Sequence, residues 1–553
     1  MKDTPLIVQS DKTLMLDVHH TSCELCRNDL IRFCELIKSP EHMHTYALSA
    51  ISLWNAASSG IDWQFIIERL HYWSRFPVPQ TVLFYIEDMA SRWGKVLLIE
   101  DADPRYYQIQ IKSEKIKAEI LARKNLSKLL IVKDKQTFLI ESYNRGEIKL
   151  QLIKIGYPVE DRILLKKGVH LPIFLRETTL GGKDFCIRAY QRQAGDALLG
   201  DQGPGTGFGT IVLPCGSGKT VVGMHIMSRL QTRTLIVTTN VAAVHQWMAE
   251  IIDKTTLTKD EVGEYTGERK EDKQVMVCTY QVLTYRPDKE GPFPHLELLT
   301  KGQWGLIIYD EVHMLPAPVF KITAELQAVY RLGLTATLVR EDGREDEVFS
   351  LVGPKRFDVP WNELQQQGFI AQAYCHEIRV DLPKDLEIPY ALANKREKYR
   401  MASENPLKLE VVQALVERHP DDYILIIGQY IEQLKQIAGH FNLPIITGST
   451  ANPKREALYR AFKEGENRIL VVSKVANFAI DLPDASVAIQ VSGSFGSRSE
   501  EAQRLGRILR PKNRSSFFYT VVTRYSNEEE FAANRQKFLA EQGYSYDIEV
   551  WEN

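Results

Sequence analysis

Two α/β units in tandem, each built on a parallel β-sheet, are what the second two thirds of this sequence predict. Three observations carry that expectation. Solid apolar runs of strand length (TIVLP, TLIVTT, QVMVCT and LIIYDE, then YILIIG, LPIITG, RILVVS and VAIQVS) alternate with amphipathic helical stretches, the pattern of buried parallel strands covered by helices. A Gly-rich turn joins one such strand to a helix at Leu213–Thr220. The chain has 553 residues, too many for one compact core.

The units take their place among five segments. Residues 1–105 mix short strand-like runs (LIVQ, TLMLDV, KVLLIE) with helical spacing at Cys23–Ile37 and Trp63–Trp73, and read as a small α/β domain. Residues 106–180 carry YYQIQI, KLLIV, TFLIE and KLQLIKI around a charged helical piece at Ser113–Lys124, and read as an α+β module. Glu114 and Glu119 among the lysines of that piece make it a solvated helix face. Residues 181–370 form the first parallel-sheet unit, 371–405 a linker or protrusion containing the charged KREKYR stretch, and 406–553 the second unit.

Composition places the chain among ordinary globular proteins: 44% hydrophobic, 25% charged, formal net charge −2. Contact with a nucleic acid would therefore use a local basic groove, not global charge. No run of about 18 apolar residues occurs, so no membrane partner is expected and a cytoplasmic setting is. Seven cysteines make no disulfide framework. His19, His20, Cys23, Cys26 and Cys34 have metal-like spacing, but Cys26, Leu30, Phe33 and Cys34 also fall at helical spacing in an apolar run, which favours core thiols over zinc.

Three groups of residues carry chemistry. In LPCGSGKT, Pro214, Cys215, Gly216, Ser217 and Gly218 form a loop whose glycines let backbone N–H groups approach phosphates, Lys219 neutralises the β/γ oxygens of ATP, and Thr220 offers a hydroxyl to magnesium. Asp310-Glu311-Val312-His313 follows the strand GLIIY, at the carboxyl end where a phosphate loop's partners belong. There Asp310 would hold magnesium and Glu311 would orient and deprotonate the attacking water. Gln503, Arg507 and Arg510 lie in QRLGRILR of the second unit. Arg507 and Arg510 share one helix face, and as arginine fingers would be worth roughly 10³–10⁵ in rate on closure of the units.

Together these segments resemble helicases of superfamily two, DEAH-box-like in the second motif, and further segments narrow the resemblance to the prokaryotic type of the XPB family of DNA repair helicases. Arg188 and Gln191, in RAYQ, are similar to the adenine-side element. Thr335-Ala336-Thr337 is similar to the coupling motif, and Arg340-Glu341-Asp342 to a triplet characteristic of XPB, linked there to opening the duplex. GPKRFDVPWNELQQQGFIAQAYC, SKVANFAIDLPDA, EEAQRLGRILRP and QKFLAEQGYSY are similar to XPB segments in the same order. Ala476-Asn477 stands where the family carries Gly-Asp, while Asp481 is kept. The sister helicases with an iron–sulfur cluster are disfavoured, since only Cys278 lies between Thr220 and Asp310.

The resemblance implies two RecA-like motor domains clamping ATP and magnesium, preceded by the small α/β and α+β modules, the second of them a damage-recognition domain, with 371–405 in the place of a thumb. It implies an ATP-dependent DNA helicase moving 3′ to 5′, acting at a junction of single strand and duplex in nucleotide-excision repair, with a nuclease partner. His313, Thr335, Ala336, Thr337 and Asp481 would couple hydrolysis to movement, and Arg340, Glu341 and Asp342 would open DNA. The rival readings are a double-strand translocase or RNA-directed ATPase without unwinding, and a nucleotide-switched scaffold.

Overall fold

The computed structural model describes residues 2–38, 42–103, 105–163, 168–200, 205–214, 216–288, 294–295, 302–314, 328–336, 352–359, 361–369, 372–473, 485–493, 515–541 and 546–552. The chain divides into two compact units, one made of most of the chain up to Asp358 and the other of Val359–Asn553 together with the loop Leu213–Gly218. Among the described residues the named strands form four sheets.

The first sheet, β1 (Leu6–Val8), β2 (Thr13–Asp17), β3 (Glu35–Lys38) and β4 (Met43–Ala47), is antiparallel in the order β1-β2-β4-β3. Leu14 and Leu16 alternate inward from β2 because strand side chains repeat every two residues. The helix Trp63–Trp73 packs on the same core. Asp62 caps it by accepting from the Phe65 N–H at 2.7 Å, and Ile66, Leu70 and Trp73 form its buried stripe. Cys23, Cys26 and Cys34 lie in this core, where burial pushes all three thiols up. The run expected to be helical from Cys23 to Ile37 is helix only over Cys23–Leu30 and becomes strand at Glu35.

The second sheet runs β7-β8-β6-β5-β9, from β5 (Val96–Glu100), β6 (Tyr106–Ile111), β7 (Ile131–Val132), β8 (Thr137–Glu141) and β9 (Val159–Asp161). KLQLIKI belongs to a helix, Arg145–Lys154, and not to a strand. Its Ile148 and Leu152 fill the core of this sheet, while Leu150 enters the core of the next one. Arg145 and Lys149 hold the carboxylate of Asp161 at 2.8 and 2.9 Å.

The third sheet is the first motor sheet: β10 (Phe208–Val212), β11 (Thr234–Thr238), β12 (Val262–Tyr265), β13 (Val275–Thr279), β14 (Leu306–Asp310), β15 (Tyr330–Thr335) and β16 (Lys355–Asp358). They are parallel in the order β12-β13-β11-β14-β15-β10-β16. β10, β11 and β13 are buried throughout, which is why they read as solid apolar runs.

The fourth sheet, β17 (Ala373–Val380), β18 (Ile424–Gly428), β19 (Ile445–Ile446), β20 (Ile469–Ser473), β21 (Val487–Gln490), β22 (Ser516–Thr523) and β23 (Tyr546–Val550), is parallel in the order β19-β20-β18-β21-β22-β17-β23. The segment 371–405 thus supplies a strand of this sheet, β17, before its KREKYR stretch forms the helix Lys395–Ser403, which Asn394 caps.

Candidate functional site

The phosphate loop links β10 to the helix Lys219–Leu230. Gly216 and Gly218 have φ of 79° and 83°, a left-handed backbone that glycine adopts without the steric cost other residues carry. Ser217 is buried and donates to the Pro214 carbonyl at 2.6 Å, closing the turn. Thr220 stands half-buried in the first turn of the helix, where backbone N–H groups are left for an anion.

The carboxylates follow β14, two strands from β10. Glu311 has φ of 50°, a left-handed conformation that costs a non-glycine residue roughly 1–3 kcal/mol. Its Oε1 lies 2.8 Å from Lys219 Nζ, so the loop and the carboxylate turn form one site. Its Oε2 is buried, 3.5 Å from His313 Nδ1. Burial would raise the Glu311 carboxyl, but Lys219 and then His313 outweigh it and the group is held low. Asp310 goes the other way: burial, reinforced by Glu311, pushes it up to about 6 against Lys219 and a hydrogen bond from Trp247. His313 Nδ1 is 2.7 Å from Thr335 Oγ1, joining the carboxylate turn to the end of β15, and Ala336 next to it is buried.

Two residues that the sequence reading did not single out position Asp310. The Trp247 indole N–H donates to Asp310 Oδ2 at 2.8 Å, and the Tyr280 hydroxyl donates to the Asp310 carbonyl at 2.8 Å. Gly223 makes room for the indole: a Cβ there would stand 2.6 Å from Trp247 Cη2. A glycine inside a helix costs about 1 kcal/mol against alanine, so Gly223 was the available signal.

Arg188 and Gln191 meet each other at the start of the helix Ala189–Leu199, where Gln191 Oε1 accepts from the Arg188 backbone N–H at 3.0 Å. Cys215, Thr337, Arg340, Glu341, Asp342, Asp481, Gln503, Arg507 and Arg510 lie outside the described residues. Among the described residues no group of three or more His, Cys, Asp or Glu is arranged to hold a metal, and no helix is long and apolar enough to cross a membrane.

The site fits a magnesium nucleotide. A loop of small residues offers backbone N–H donors, a lysine offers charge, and the adjacent carboxylates of Asp310 and Glu311 stand beside that lysine. Magnesium needs only one or two protein ligands beside phosphate. A phosphate loop and an Asp-Glu turn on one RecA-like sheet, followed by a second parallel sheet, define a nucleotide-driven motor of helicase superfamily two.

Comparison with known proteins narrows the class. Residues 364–551 match the model of the ERCC3/RAD25/XPB C-terminal helicase, residues 184–340 that of the type III restriction enzyme res subunit, and residues 6–135 that of a helicase conserved C-terminal domain. The chain is 46% identical to the DNA 3′-5′ helicase XPB of Mycobacterium tuberculosis over 99% of its own length and 98% of that protein. It is 47% identical to the protein of the same name from Kineococcus radiotolerans over 99% and 97%. The general transcription and DNA repair factor IIH helicase/translocase subunit XPB of Enterocytozoon bieneusi is 30% identical over 99% and 92%. The chain belongs to the XPB family of DNA helicases, and with it to the ATP-hydrolysing enzymes.

Proposed function

We propose that this chain is an ATP-dependent DNA helicase that moves 3′ to 5′ and separates strands at a junction of single strand and duplex, in excision-type repair in the cytoplasm. The 46–47% identity to bacterial DNA 3′-5′ helicases over the whole chain supports the direction and substrate. A nuclease that cuts the exposed strand is the partner such a task calls for.

The observation that carries the chemistry is the Lys219–Glu311 pair. Lys219 Nζ lies 2.8 Å from the carboxylate that would act as base. Lys219 would hold the β/γ-phosphates of ATP, and Glu311 would orient the attacking water and take its proton. Thr220 and Asp310 would hold magnesium, which would neutralise the phosphate oxygens. Arg188, Gln191, Pro214, Cys215, Gly216, Ser217 and Gly218 complete the nucleotide site; Gln503, Arg507 and Arg510 complete the hydrolytic set from the second motor domain. His313 passes the state of Glu311 to Thr335 through their 2.7 Å hydrogen bond, and Ala336, Thr337 and Asp481 extend that coupling. Arg340, Glu341 and Asp342 act on the duplex.

Glu311→Gln should keep ATP and DNA binding and lose turnover, whereas Lys219→Ala should lose nucleotide affinity as well. Near-normal hydrolysis by Glu311→Gln removes the base from the scheme.

A further inference from the structure

The outermost strand of the second motor sheet is bare on both faces. β23 pairs with β17 along one edge, from Cys375 opposite Tyr546 to Arg379 opposite Val550, and among the described strands nothing pairs with its other edge. Its far end is held: the Trp551 N–H donates to the Arg379 carbonyl at 2.8 Å, and the indole packs against the core of the sheet. Along the strand, Ile548 is 55% and Val550 48% exposed on one face, while Asp547 and Glu549 stand exposed on the other. Neither carboxylate pairs with a lysine or arginine among the described residues. Both face one ring, His376, whose Nδ1 lies 3.5 Å from Glu549 Oε1 and 3.9 Å from Asp547 Oδ2.

A free edge is a template for another strand, because its outward N–H and C=O groups have no partner in the sheet. Natural edges are commonly broken by lysine, proline or a bulge; β23 contains neither residue and runs beside β17 in unbroken register. Its side chains define the strand that fits. Residues directly opposite each other across a strand pair interact, so Asp547 and Glu549 call for lysine or arginine, and Ile548 and Val550 for aliphatic residues. A second copy of β23 does not meet that need. Antiparallel pairing about Ile548 sets Asp547 of one copy against Glu549 of the other, and parallel pairing in register sets each carboxylate against its own kind, both of them destabilising.

We infer that the free edge of β23 takes up an extended segment of a partner protein in which lysine or arginine alternates with aliphatic residues, added to the seven-stranded sheet as a further strand. Backbone pairing supplies the affinity and the two carboxylates supply the selection. None of these residues belongs to the motifs assigned to ATP or DNA, so the inference goes beyond the reading of the chain as a helicase.

The test uses the full chain and a labelled, end-capped peptide alternating lysine and valine, read by fluorescence anisotropy and by hydrogen exchange. Two control peptides accompany it: one with glutamate for every lysine, and one with proline for alternate valines, which keeps the charge and removes backbone donors. The chain should bind the lysine peptide, slow amide exchange within Asp547–Val550, and bind neither control. Asp547→Asn with Glu549→Gln should weaken that binding by roughly 2- to 30-fold, the loss of two opposite-charge pairs across strands. Asp547→Lys with Glu549→Lys should turn the preference round to the glutamate peptide. Thermal unfolding of each variant shows that it is folded. No binding of the lysine peptide, equal binding of the proline control, or binding without protection in β23 overturns the inference. So does a dimer of the free chain in sedimentation that Ile548→Lys dissolves, because a second copy then takes the edge.

Discussion

Lys408 and Glu528 are each about 1% exposed, and their charges meet at 2.7 and 2.9 Å inside the second motor domain. Lys408 also donates to the Val491 carbonyl at 2.8 Å, and Glu528 accepts from the Thr523 N–H at 3.0 Å. The pair therefore ties the helix Lys408–Arg418 and the helix Asn527–Glu541 to the ends of β21 and β22. Lys408→Met strands a buried carboxylate, and removing one partner of such a pair costs about 3–5 kcal/mol. At roughly 2–4 °C per kcal/mol for a unit of this size, its unfolding transition should fall by about 6–20 °C. The double variant Lys408→Met with Glu528→Leu removes both charges and should recover most of that loss, because an apolar pair often matches or exceeds a buried ion pair. Thermal and urea unfolding of the full chain, followed for the second domain's transition, makes the comparison. A double variant as unstable as the single one would refute the argument that an unpaired charge is what costs.

Trp247→Phe leaves Asp310 Oδ2 buried without its indole donor, so the first motor domain should lose about 1–3 kcal/mol and need more magnesium for half-maximal turnover; unchanged stability and magnesium titration contradict the positioning role. Arg507→Ala or Arg510→Ala should abolish most DNA-stimulated turnover, roughly 10³-fold or more for a true finger, and DNA-stimulated rates near wild type remove them from the hydrolytic set. Replacing Arg340, Glu341 and Asp342 together by alanine should leave basal ATPase within a few-fold and strongly reduce strand separation. Equal loss of both places the triplet in the ATP machinery, and loss of neither makes it a solvated turn.

What could be read from the sequence was set by local pattern. Strands buried on both faces, such as β10 and β11, announce themselves as unbroken apolar runs, and the phosphate loop and Asp310-Glu311 stand at the ends of such runs. The helix Arg145–Lys154 hid because it lies between two cores: Ile148 and Leu152 face one and Leu150 the other, so its apolar residues form no single stripe. β17 hid for the opposite reason. It carries His376, Glu377 and Arg379 among its apolar residues, and the buried Glu377 is tolerated because Arg379 donates to it at 2.6 Å. The left-handed backbone of Glu311 and the indole bond to Asp310 arise from tertiary packing, and only Gly223 gave a local sign of it.

Strand displacement on duplexes with either a 3′ or a 5′ single-stranded tail tests the central claim most directly. The wild-type chain should release the strand from the 3′-tailed DNA only, with ATP and magnesium, and Glu311→Gln should bind that substrate without releasing it. Release from the 5′-tailed duplex, or DNA-stimulated ATP hydrolysis with no release from the 3′-tailed one, would contradict it.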